Sequence, residues 1–202
     1  MRAAIILNGE LSPKVKRHLL NDDFIIATDG GARHLEALGL HPKAVIGDMD
    51  SISAELKAKH ADVLIRNDDQ DFSDAEKALH FAIKMGFDKV LFLGFEGSRL
   101  DHLLATVMLL REYKEKDITL LSDGFEASVV RDELSFTAKK GCRVSLIALS
   151  EDVSGVSTQG LKFPLRNARL NSSTHGVSNE ATGDVNISVK KGVLLVIRWF
   201  HE

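Results

Sequence analysis

Residues 24–51, which read FIIATDGGARHLEALGLHPKAVIGDMDS, decide the fold. Residues 24–28 are a short, continuous apolar run typical of a buried strand, 31–38 have apolar residues at helical spacing, and 44–46 are a second apolar run. Buried strands joined by helices predict a mostly parallel sheet covered on both faces. The segment therefore predicts one unit of a doubly wound α/β domain.

The same alternation continues on both sides of this segment. Further strands are predicted at 3–8, 62–66, 89–94 and 118–121, and further helices at 13–20, 53–60, 73–85 and 99–113. Beyond about residue 124 the helical period disappears, and short β-branched runs alternate with turn residues. We therefore expect an α/β domain with a doubly wound, mostly parallel sheet at 1–124, and a smaller all-β sandwich or barrel domain at 125–202.

Composition excludes several classes of protein. The 202 residues carry a net charge of −3 with dispersed Lys and Arg, so no basic stripe is present to bind nucleic acid. The first apolar run, residues 3–7, is too short for a membrane span or a signal-peptide core, and a cytoplasmic protein is expected. The single cysteine, Cys142, excludes an internal disulfide and a cysteine-rich zinc site.

Four predicted strands end in polar turns, and the carboxyl ends of parallel strands form the ligand crevice of an open sheet. The turns are Asp29-Gly30-Gly31, Gly47-Asp48-Met49-Asp50-Ser51, NDDQDFSD at 67–74 and Gly94-Phe95-Glu96-Gly97-Ser98-Arg99. Two of them hold six carboxylates, which would repel one another unless they were solvated or shared a cation. The histidines lack zinc-site spacing. Magnesium bound to a nucleotide fits these residue types best.

Each turn also has a simpler interpretation. The glycines after Asp29 are equally consistent with a tight turn and with close approach of a phosphate to the next helix. A lone D-x-D such as Asp48 and Asp50 is usually a solvated loop. Ser73 predicts an N-cap. Asp74 would then lie in the first helical turn, where its charge interacts favourably with the helix dipole without any ligand.

The turn at residues 97–102 starts the next predicted helix. Arg99 at a helix start opposes the helix dipole, and a phosphate ligand would remove that penalty. Asp101 is equally consistent with a first-turn charge, and His102 with a surface or packed histidine.

Two motifs in the β-rich part are predicted to lie outside strands, residues 160–165 (GLKFPL) and 176–180 (GVSNE). The residue before proline, Phe163, is held extended. Its ring is either a core residue or a stacking platform, and the sequence alone slightly favours the core. Ser178 and Asn179 are also consistent with a plain turn.

Six motifs taken together resemble the thiamin pyrophosphokinase family. They are DGGA (29–32), GDMDS (47–51), DQDFSDAEKAL (69–79), GSRLDH (97–102), GLKFPL (160–165) and SNE (178–180), in the family's order. The resemblance implies Mg²⁺-dependent transfer of a pyrophosphoryl group from ATP to the hydroxyl of thiamin, giving thiamin diphosphate and AMP. It also implies a homodimer with active sites between the α/β domain of one subunit and the β domain of the other.

The resemblance assigns roles to individual positions. The implied metal ligands are Asp48, Asp50, Asp71 and Asp74. The implied ATP-binding residues are Asp29, Gly30, Gly31, Ser73, Arg99 and His102. The implied catalytic residues are Asp71, Asp101 and Arg99, with Asp71 or Asp101 as the base, and the implied thiamin-binding residues are Phe163, Ser178 and Asn179. Asp68 and Asp69 match the pattern less well and are expected to be turn residues.

The chain departs from the family pattern at four positions. Phe163 stands where tryptophan is usual, which predicts a smaller stacking area. Ser98 replaces glycine, Ser73 replaces threonine and Thr106 replaces asparagine. Two other functions remain open from the sequence: a sensor that binds the ligands without turnover, and a metal-dependent phosphohydrolase that releases phosphate from ATP without thiamin.

Overall fold

The computed structural model describes residues 1–97, 99–171 and 175–200. The chain divides into two compact units, Met1–Leu109 with Lys116–Asp123, and Leu110–Glu115 with Gly124–Glu202. The functional roles assigned to residues 1–124 and 125–202 stay predictions.

The first unit is built on a parallel sheet. Its strands are β1 (Ala3–Ile6), β2 (Phe24–Thr28), β3 (Ala44–Gly47), β4 (Leu64–Arg66), β5 (Lys89–Leu93) and β6 (Asp117–Leu121). They run side by side in the order β6-β5-β1-β2-β3-β4, and every neighbouring pair is parallel. The strand order reverses at β1, so the loops after β1 and β5 leave in different directions and open a crevice at the carboxyl edge.

Helices and 3₁₀ turns connect these strands. They are 3₁₀ helices at Pro13–His18 and Gly30–His34, and α1 (Leu35–Leu38), α2 (Ala54–Lys59), α3 (Asp74–Lys84) and α4 (Leu100–Glu112). The single helix predicted at 31–38 is wrong in detail: it is a 3₁₀ segment followed by one α-helical turn. Gly39, with φ of 59°, ends that turn in the left-handed conformation.

Apart from the last residues of α4, the second unit is built of strands. Its strands are β7 (Phe125–Val130), β8 (Glu133–Phe136), β9 (Arg143–Ala148), β10 (Val153–Leu161), β11 (Ala168–Leu170), β12 (Asn179–Ser188) and β13 (Leu194–Trp199). Neighbours pair antiparallel in the order β11-β10-β12-β9-β13-β7, and β8 also pairs with β12. Buried aliphatic residues from most of these strands, including Val144, Leu146, Val156 and Ile187, form its core.

The predicted fold class is confirmed for both parts of the chain, but two details of the second unit differ. The sequence did not predict β11, and β10 and β12 extend into the motifs predicted as loops. Gly160 explains the extension of β10, because it adopts φ of 73° and a Cβ there would lie 1.9 Å from the Asp184 carbonyl oxygen. The register shifts at this glycine, and pairing resumes between Leu161 and Ala181.

Among the described residues, no helix combines the length and apolar composition needed to cross a membrane.

Candidate active site

A buried carboxylate organises the turn that follows β3. Asp29 is 1% exposed. Its Oδ2 accepts hydrogen bonds from the backbone N–H groups of Met49 (3.1 Å) and Ser51 (3.4 Å), and its Oδ1 accepts one from Gly30 (2.6 Å). Met49 adopts φ of 71°, a conformation that L-residues rarely adopt. Asp29 therefore holds the acidic turn in a shape it would not adopt alone.

Gly47 provides the space that this carboxylate occupies. A Cβ at Gly47 would lie 2.5 Å from the Asp29 Cγ atom. We expect Gly47→Ala to lower the free energy of unfolding by about 2 to 4 kcal/mol, because Asp29 must shift and lose backbone hydrogen bonds. Chemical denaturation measures this loss.

Gly124→Ala is the matched control for Gly47→Ala. Its Cβ would meet only the Trp199 ring at 4.0 Å, an ordinary contact. We expect a change below about 1 kcal/mol there. Equal effects of the two substitutions would contradict the role given to Gly47.

Three carboxylates converge at this turn. Oxygen atoms of Asp29, Asp48 and Asp50 all lie within 4.8 Å of one another, with the three residues buried, half-buried and exposed in that order. The Asp50 N–H donates to Asp48 Oδ1 (3.1 Å), and this bond is the main reason that the pKa of Asp48 lies below its ordinary value. Converging ionised oxygens are the ligand type that Mg²⁺ prefers.

The other acidic positions lie at the next turn. Ser73 caps α3 by accepting from the Glu76 N–H (3.3 Å), as the sequence predicts, and Asp74 occupies the first helical turn. Burial raises the pKa of Asp74, and the negative charges of Asp29 and Asp48 raise it further. Asp74 is therefore electrostatically coupled to the converging group.

Asp71 is not a member of that group within the described residues. It is exposed, and its N–H donates to Asp69 Oδ1 (2.9 Å). Asp68 forms a two-oxygen ion pair with Arg66 Nε (2.8 and 2.9 Å). Asp68 and Asp69 thus make contacts within the turn itself. The roles of Asp71 and Asp74 as metal ligands stay predictions.

Lys77 is a cation of this site that the sequence reasoning missed. It is only 5% exposed, and its Nζ lies 3.3 Å from Asp74 Oδ1. Its charge lowers the pKa of Asp48 and opposes the raised pKa of Asp74. The D-x-x-K spacing on a predicted helix, which puts both side chains on one face, was the available signal.

A cleft of about 760 Å³ opens at the switch point of the sheet. The loop after β1 (residues 7–10), the loop after β5 (94–97), the start of α3 and the start of α4 supply most of its wall. The residues that line it include three predicted ATP-binding residues (Ser73, Arg99 and His102), the predicted metal ligand Asp74 and the predicted catalytic residue Asp101. The lining does not include Asp29, Gly30, Gly31, Asp48, Asp50 or Asp71, although Ser51 from the acidic turn contributes.

Gly30 and Gly31 are instead buried, Gly30 against Asn8 in the loop after β1 and Gly31 against Ile6 at the end of β1. A Cβ at Gly30 would lie 2.4 Å from the Asn8 Cγ atom, and one at Gly31 would lie 2.1 Å from the Ile6 carbonyl oxygen. These glycines therefore permit close packing of the segment on the strand.

Arg99 and Asp101 form a forked ion pair at the start of α4. Arg99 Nε and Nη2 donate to the two oxygens of Asp101 at 2.9 and 2.6 Å. The pair holds the pKa of Asp101 well below its ordinary value. The negative charge of Asp101 therefore already offsets the unfavourable interaction of Arg99 with the helix dipole. The sequence analysis assigned this compensation to a phosphate ligand.

His102 and Thr106 lie on the next turns of α4. His102 is exposed, and its carbonyl oxygen accepts a hydrogen bond from the buried Thr106 Oγ1 (2.8 Å). Ser98, the fourth departure from the family pattern, lies outside the described residues.

The turn after β1 is a wall of the cleft that the sequence reasoning did not single out. Arg33 Nη2 donates to the carbonyl oxygens of Asn8 (2.6 Å) and Gly9 (3.1 Å), and His34 Nε2 lies 2.9 Å from the Gly9 oxygen. A Cβ at Gly9 would lie 2.1 Å from the Glu96 carbonyl oxygen. The residues N-G-E at the end of the first strand were the available signal.

His34 gives this wall a pH dependence. Burial lowers the pKa of His34, the bond to Gly9 opposes the shift, and Arg33 adds to it. In the unfolded chain His34 has an ordinary pKa of about 6.5. Just below pH 6.5, His34 therefore binds more protons in the unfolded chain than in the folded one. The stability that neutral His34 contributes is thus present above about pH 6.5 and is lost as the pH falls through the folded pKa.

We expect the melting temperature of the wild type to decrease relative to that of His34→Gln as the pH is lowered from about 7.5 to about 5.5. The glutamine variant is the control because it shares every other titrating group. If the melting temperatures of the wild type and of His34→Gln changed equally with pH across this range, the prediction would be contradicted.

In the second unit, the structure brings Phe163 and Asn179 together. Phe163 is 62% exposed, so the preference for a core position is wrong. The Phe163 N–H donates to Asn179 Oδ1 (3.1 Å), and Asn179 Nδ2 donates to the Phe163 carbonyl oxygen (2.8 Å). Ser178 has φ of 61°, and its N–H donates to Ser145 Oγ (3.0 Å). The exposed ring offers a stacking surface, over which Lys162 Nζ lies 5.6 Å from the ring centroid.

A parallel sheet with converging carboxylates and an arginine-lined cleft at its switch point is typical of enzymes that transfer phosphoryl-type groups. Two family models match the chain: "Thiamin pyrophosphokinase, catalytic domain" over residues 15–121, and "Thiamin pyrophosphokinase, vitamin B1 binding domain" over residues 131–194. The chain belongs to the thiamin pyrophosphokinase family of transferases, which confirms the resemblance.

Individual relatives agree. The chain is 29% identical over 190 residues to thiamine pyrophosphokinase of Bacillus subtilis, covering 86% of each chain. The crystal structure of thiamine pyrophosphokinase from that organism superposes with a TM-score of 0.90 at 25% identity, over 98% of this chain and 99% of that one. The structure of the protein from Geobacillus thermodenitrificans gives a TM-score of 0.88 at 28% identity, over 98% and 97% of the two chains.

Proposed function

We propose that this protein transfers the pyrophosphoryl group of ATP to the hydroxyl of thiamin, giving thiamin diphosphate and AMP. The observation that carries the proposal is the acidic group of Asp29, Asp48 and Asp50 next to a cleft that Arg99 lines, in a chain of this family. Group transfer of this kind needs positioning and charge neutralisation, and carboxylates that can hold a cation together with an arginine support the proposal because they are residue types that supply both.

The carboxylate set fits Mg²⁺. Asp48 and Asp50 are the half-buried and the exposed member of the converging group, whereas the buried Asp29 uses its oxygens to hold the turn. We propose Asp48 and Asp50 as ligands, joined by Asp71 and Asp74 when substrate binds. Bound there, Mg²⁺ would neutralise and align phosphate oxygens.

The chain's own residues have separate tasks in this proposal. Asp29, Gly30, Gly31 and Ser73 shape the ATP site, and His102 and Arg99 contact the nucleotide. Arg99 offsets charge that develops on the transferred group. Asp71 or Asp101 accepts the proton of the thiamin hydroxyl. Phe163 stacks on thiamin, and Ser178 and Asn179 belong to the same side.

The test is incubation with ATP, Mg²⁺ and thiamin, followed by chromatographic detection of thiamin diphosphate and AMP in equal amounts. Thiamin binding without products would support the sensor function instead. Phosphate release from ATP in the absence of thiamin would support a phosphohydrolase. Light scattering tests the further proposal of a homodimer, which requires twice the mass of one chain.

A further inference from the structure

We infer that Asn179 is a positioning residue, whose side chain replaces a missing rung of the β10–β12 ladder and fixes Phe163, and that it is not a contact of the substrate. The inference rests on the proposed function only in that Phe163 is the stacking surface for thiamin.

The ladder between β10 and β12 shows this replacement directly. Leu161 pairs with Ala181, and the Lys162 N–H donates to the Glu180 carbonyl oxygen (2.9 Å). At the next position the Asn179 carboxamide takes over: Oδ1 accepts from the Phe163 N–H and Nδ2 donates to the Phe163 carbonyl. A carboxamide offers one acceptor and a donor, as a peptide group does. The side chain thus continues the strand by one residue.

Burial separates the two residues by role. Asn179 is 6% exposed, and its Oδ1 also accepts from the Glu180 N–H (2.9 Å). Its oxygen therefore has two donors, and its amide nitrogen bonds to Phe163. Phe163, by contrast, is 62% exposed. A ligand meets the ring, while the amide lies beneath the loop.

Other contacts of this loop involve the residues on either side of Phe163. Leu165 exchanges hydrogen bonds with Thr158 (2.8 and 3.0 Å). Pro164 follows Phe163 and has no N–H to donate. The Lys162–Glu180 ion pair (3.0 Å) joins the same two segments, but both side chains are about half exposed, and such pairs contribute little. Lys162 Nζ also lies over the Phe163 ring, 5.6 Å from its centroid, but the hydrogen bonds to the Phe163 N–H and carbonyl oxygen come from Asn179. A residue whose backbone is already held loses less conformational entropy when a ligand stacks on its ring.

Asn179→Asp distinguishes a positioning role from direct contact with thiamin, because the two roles predict different changes in the KM for thiamin. Asp keeps the size and the acceptor but loses the donor, and its charge faces the Phe163 carbonyl oxygen. We expect the KM for thiamin to rise about three- to tenfold, the cost of freeing one side chain, with kcat and the KM for ATP unchanged. If Asn179 contacted the thiamin cation directly, a carboxylate would keep or lower that KM, and the inference would be overturned.

A double-mutant cycle with Phe163→Ala tests whether Asn179 acts through the ring. Asn179→Ala is the second variant, because it removes the rung without burying a charge. We expect Phe163→Ala alone to raise the KM for thiamin about tenfold or more, and Asn179→Ala to add nothing in that background. Additive effects would show a separate contact and overturn the inference.

Amide hydrogen exchange supplies a measurement that needs no substrate. In Asn179→Ala we expect the Phe163 amide to exchange at least about tenfold faster, because it loses its acceptor. Unchanged exchange would overturn the inference. If the wild type makes no thiamin diphosphate but the Phe163 amide still loses protection in the variant, the proposed function fails and the structural part of the inference stands.

Asn186→Ala is the matched control. Asn186 lies on the same strand, and its exposed amide bonds to the side chains of Glu133 and Ser135. We expect it to change neither the KM for thiamin nor the exchange of the Phe163 amide. If Asn186→Ala changed either quantity as Asn179→Ala does, the effect would reflect the general stability of the strand, and the inference would be overturned.

Discussion

Replacing Asp48 with Asn is expected to lower kcat by about 10²- to 10³-fold, the loss typical of removing one preorganised charged group from an active site. Asp48 belongs to the converging group, and the hydrogen bond from the N–H of Asp50 favours its ionised form. An amide keeps the shape but removes the charge. Steady-state assays at saturating ATP and thiamin, over a range of Mg²⁺ concentrations, measure the loss.

The same substitution is expected to leave the first unit as stable as before, or more stable, when Mg²⁺ is absent. Asp48 is one of the charges that raise the pKa of Asp74, so its removal relieves repulsion between carboxylates. Mg²⁺ should raise the melting temperature of the wild type by binding the folded state, and this shift should be lost in Asp48→Asn. Activity and stability thus move in opposite directions, as at many functional sites.

Asp68→Asn is the control for Asp48→Asn, because Asp68 is an exposed carboxylate that pairs with Arg66 outside the converging group. It should keep wild-type kcat and the Mg²⁺ shift. Unchanged turnover of Asp48→Asn at saturating Mg²⁺ would mean that the acidic turn is a solvated loop.

The fold was predictable because it depends on local patterns. The strand at Phe24–Thr28 lies where the sequence places it, and its last four residues are buried as a continuous apolar run requires. The polar turns after β2, β3 and β5 were found by the same logic, since the edge of a parallel sheet gathers them. The segment that ends in α1 was less predictable. Its end at Leu38 agrees with the prediction, but apolar spacing does not distinguish the 3₁₀ helix at Gly30–His34 from an α-helix.

The candidate site was predictable in composition but not in geometry. Sequence grouped Asp48 and Asp50 with Asp71 and Asp74, whereas the structure groups them with Asp29. Besides the Gly30 N–H, Asp29 accepts from backbone N–H groups 20 and 22 residues away. Lys77 was passed over because charged residues on a helix are usually solvated, and its burial depends on long-range packing. The backbone of Phe163 is likewise held by Asn179, which lies 16 residues away along the chain, a contact that local patterns do not predict.

Arg99→Ala is expected to lower kcat/KM for ATP by about 10³-fold, the lower end of what an arginine contributes to phosphoryl transfer. Arg99 lines the cleft, and its fork of N–H donors matches paired phosphate oxygens as it now matches Asp101. Arg99→Lys keeps the charge but not the fork, so it should recover only part of the loss.

Arg66→Ala is a closely matched control for Arg99→Ala. Both arginines are exposed and pair with an aspartate two residues later, Arg66 with Asp68 and Arg99 with Asp101. Arg66 lies outside the lining of the cleft. Equal losses in the two variants would mean that Arg99 acts only through the ion pair that organises its own turn.

The pH profile of Arg99→Lys and Arg99→Ala also distinguishes the two candidate bases. Arg99 holds the pKa of Asp101 below its ordinary value, so weakening or removing the fork must raise that pKa. If Asp101 is the base, the acidic limb of kcat/KM should move to higher pH in both variants, and further in Arg99→Ala, because the carboxyl is then protonated over more of the range. If Asp71 is the base, the acidic limb should stay in place while the plateau falls, since no ion pair joins Arg99 to Asp71 among the described residues.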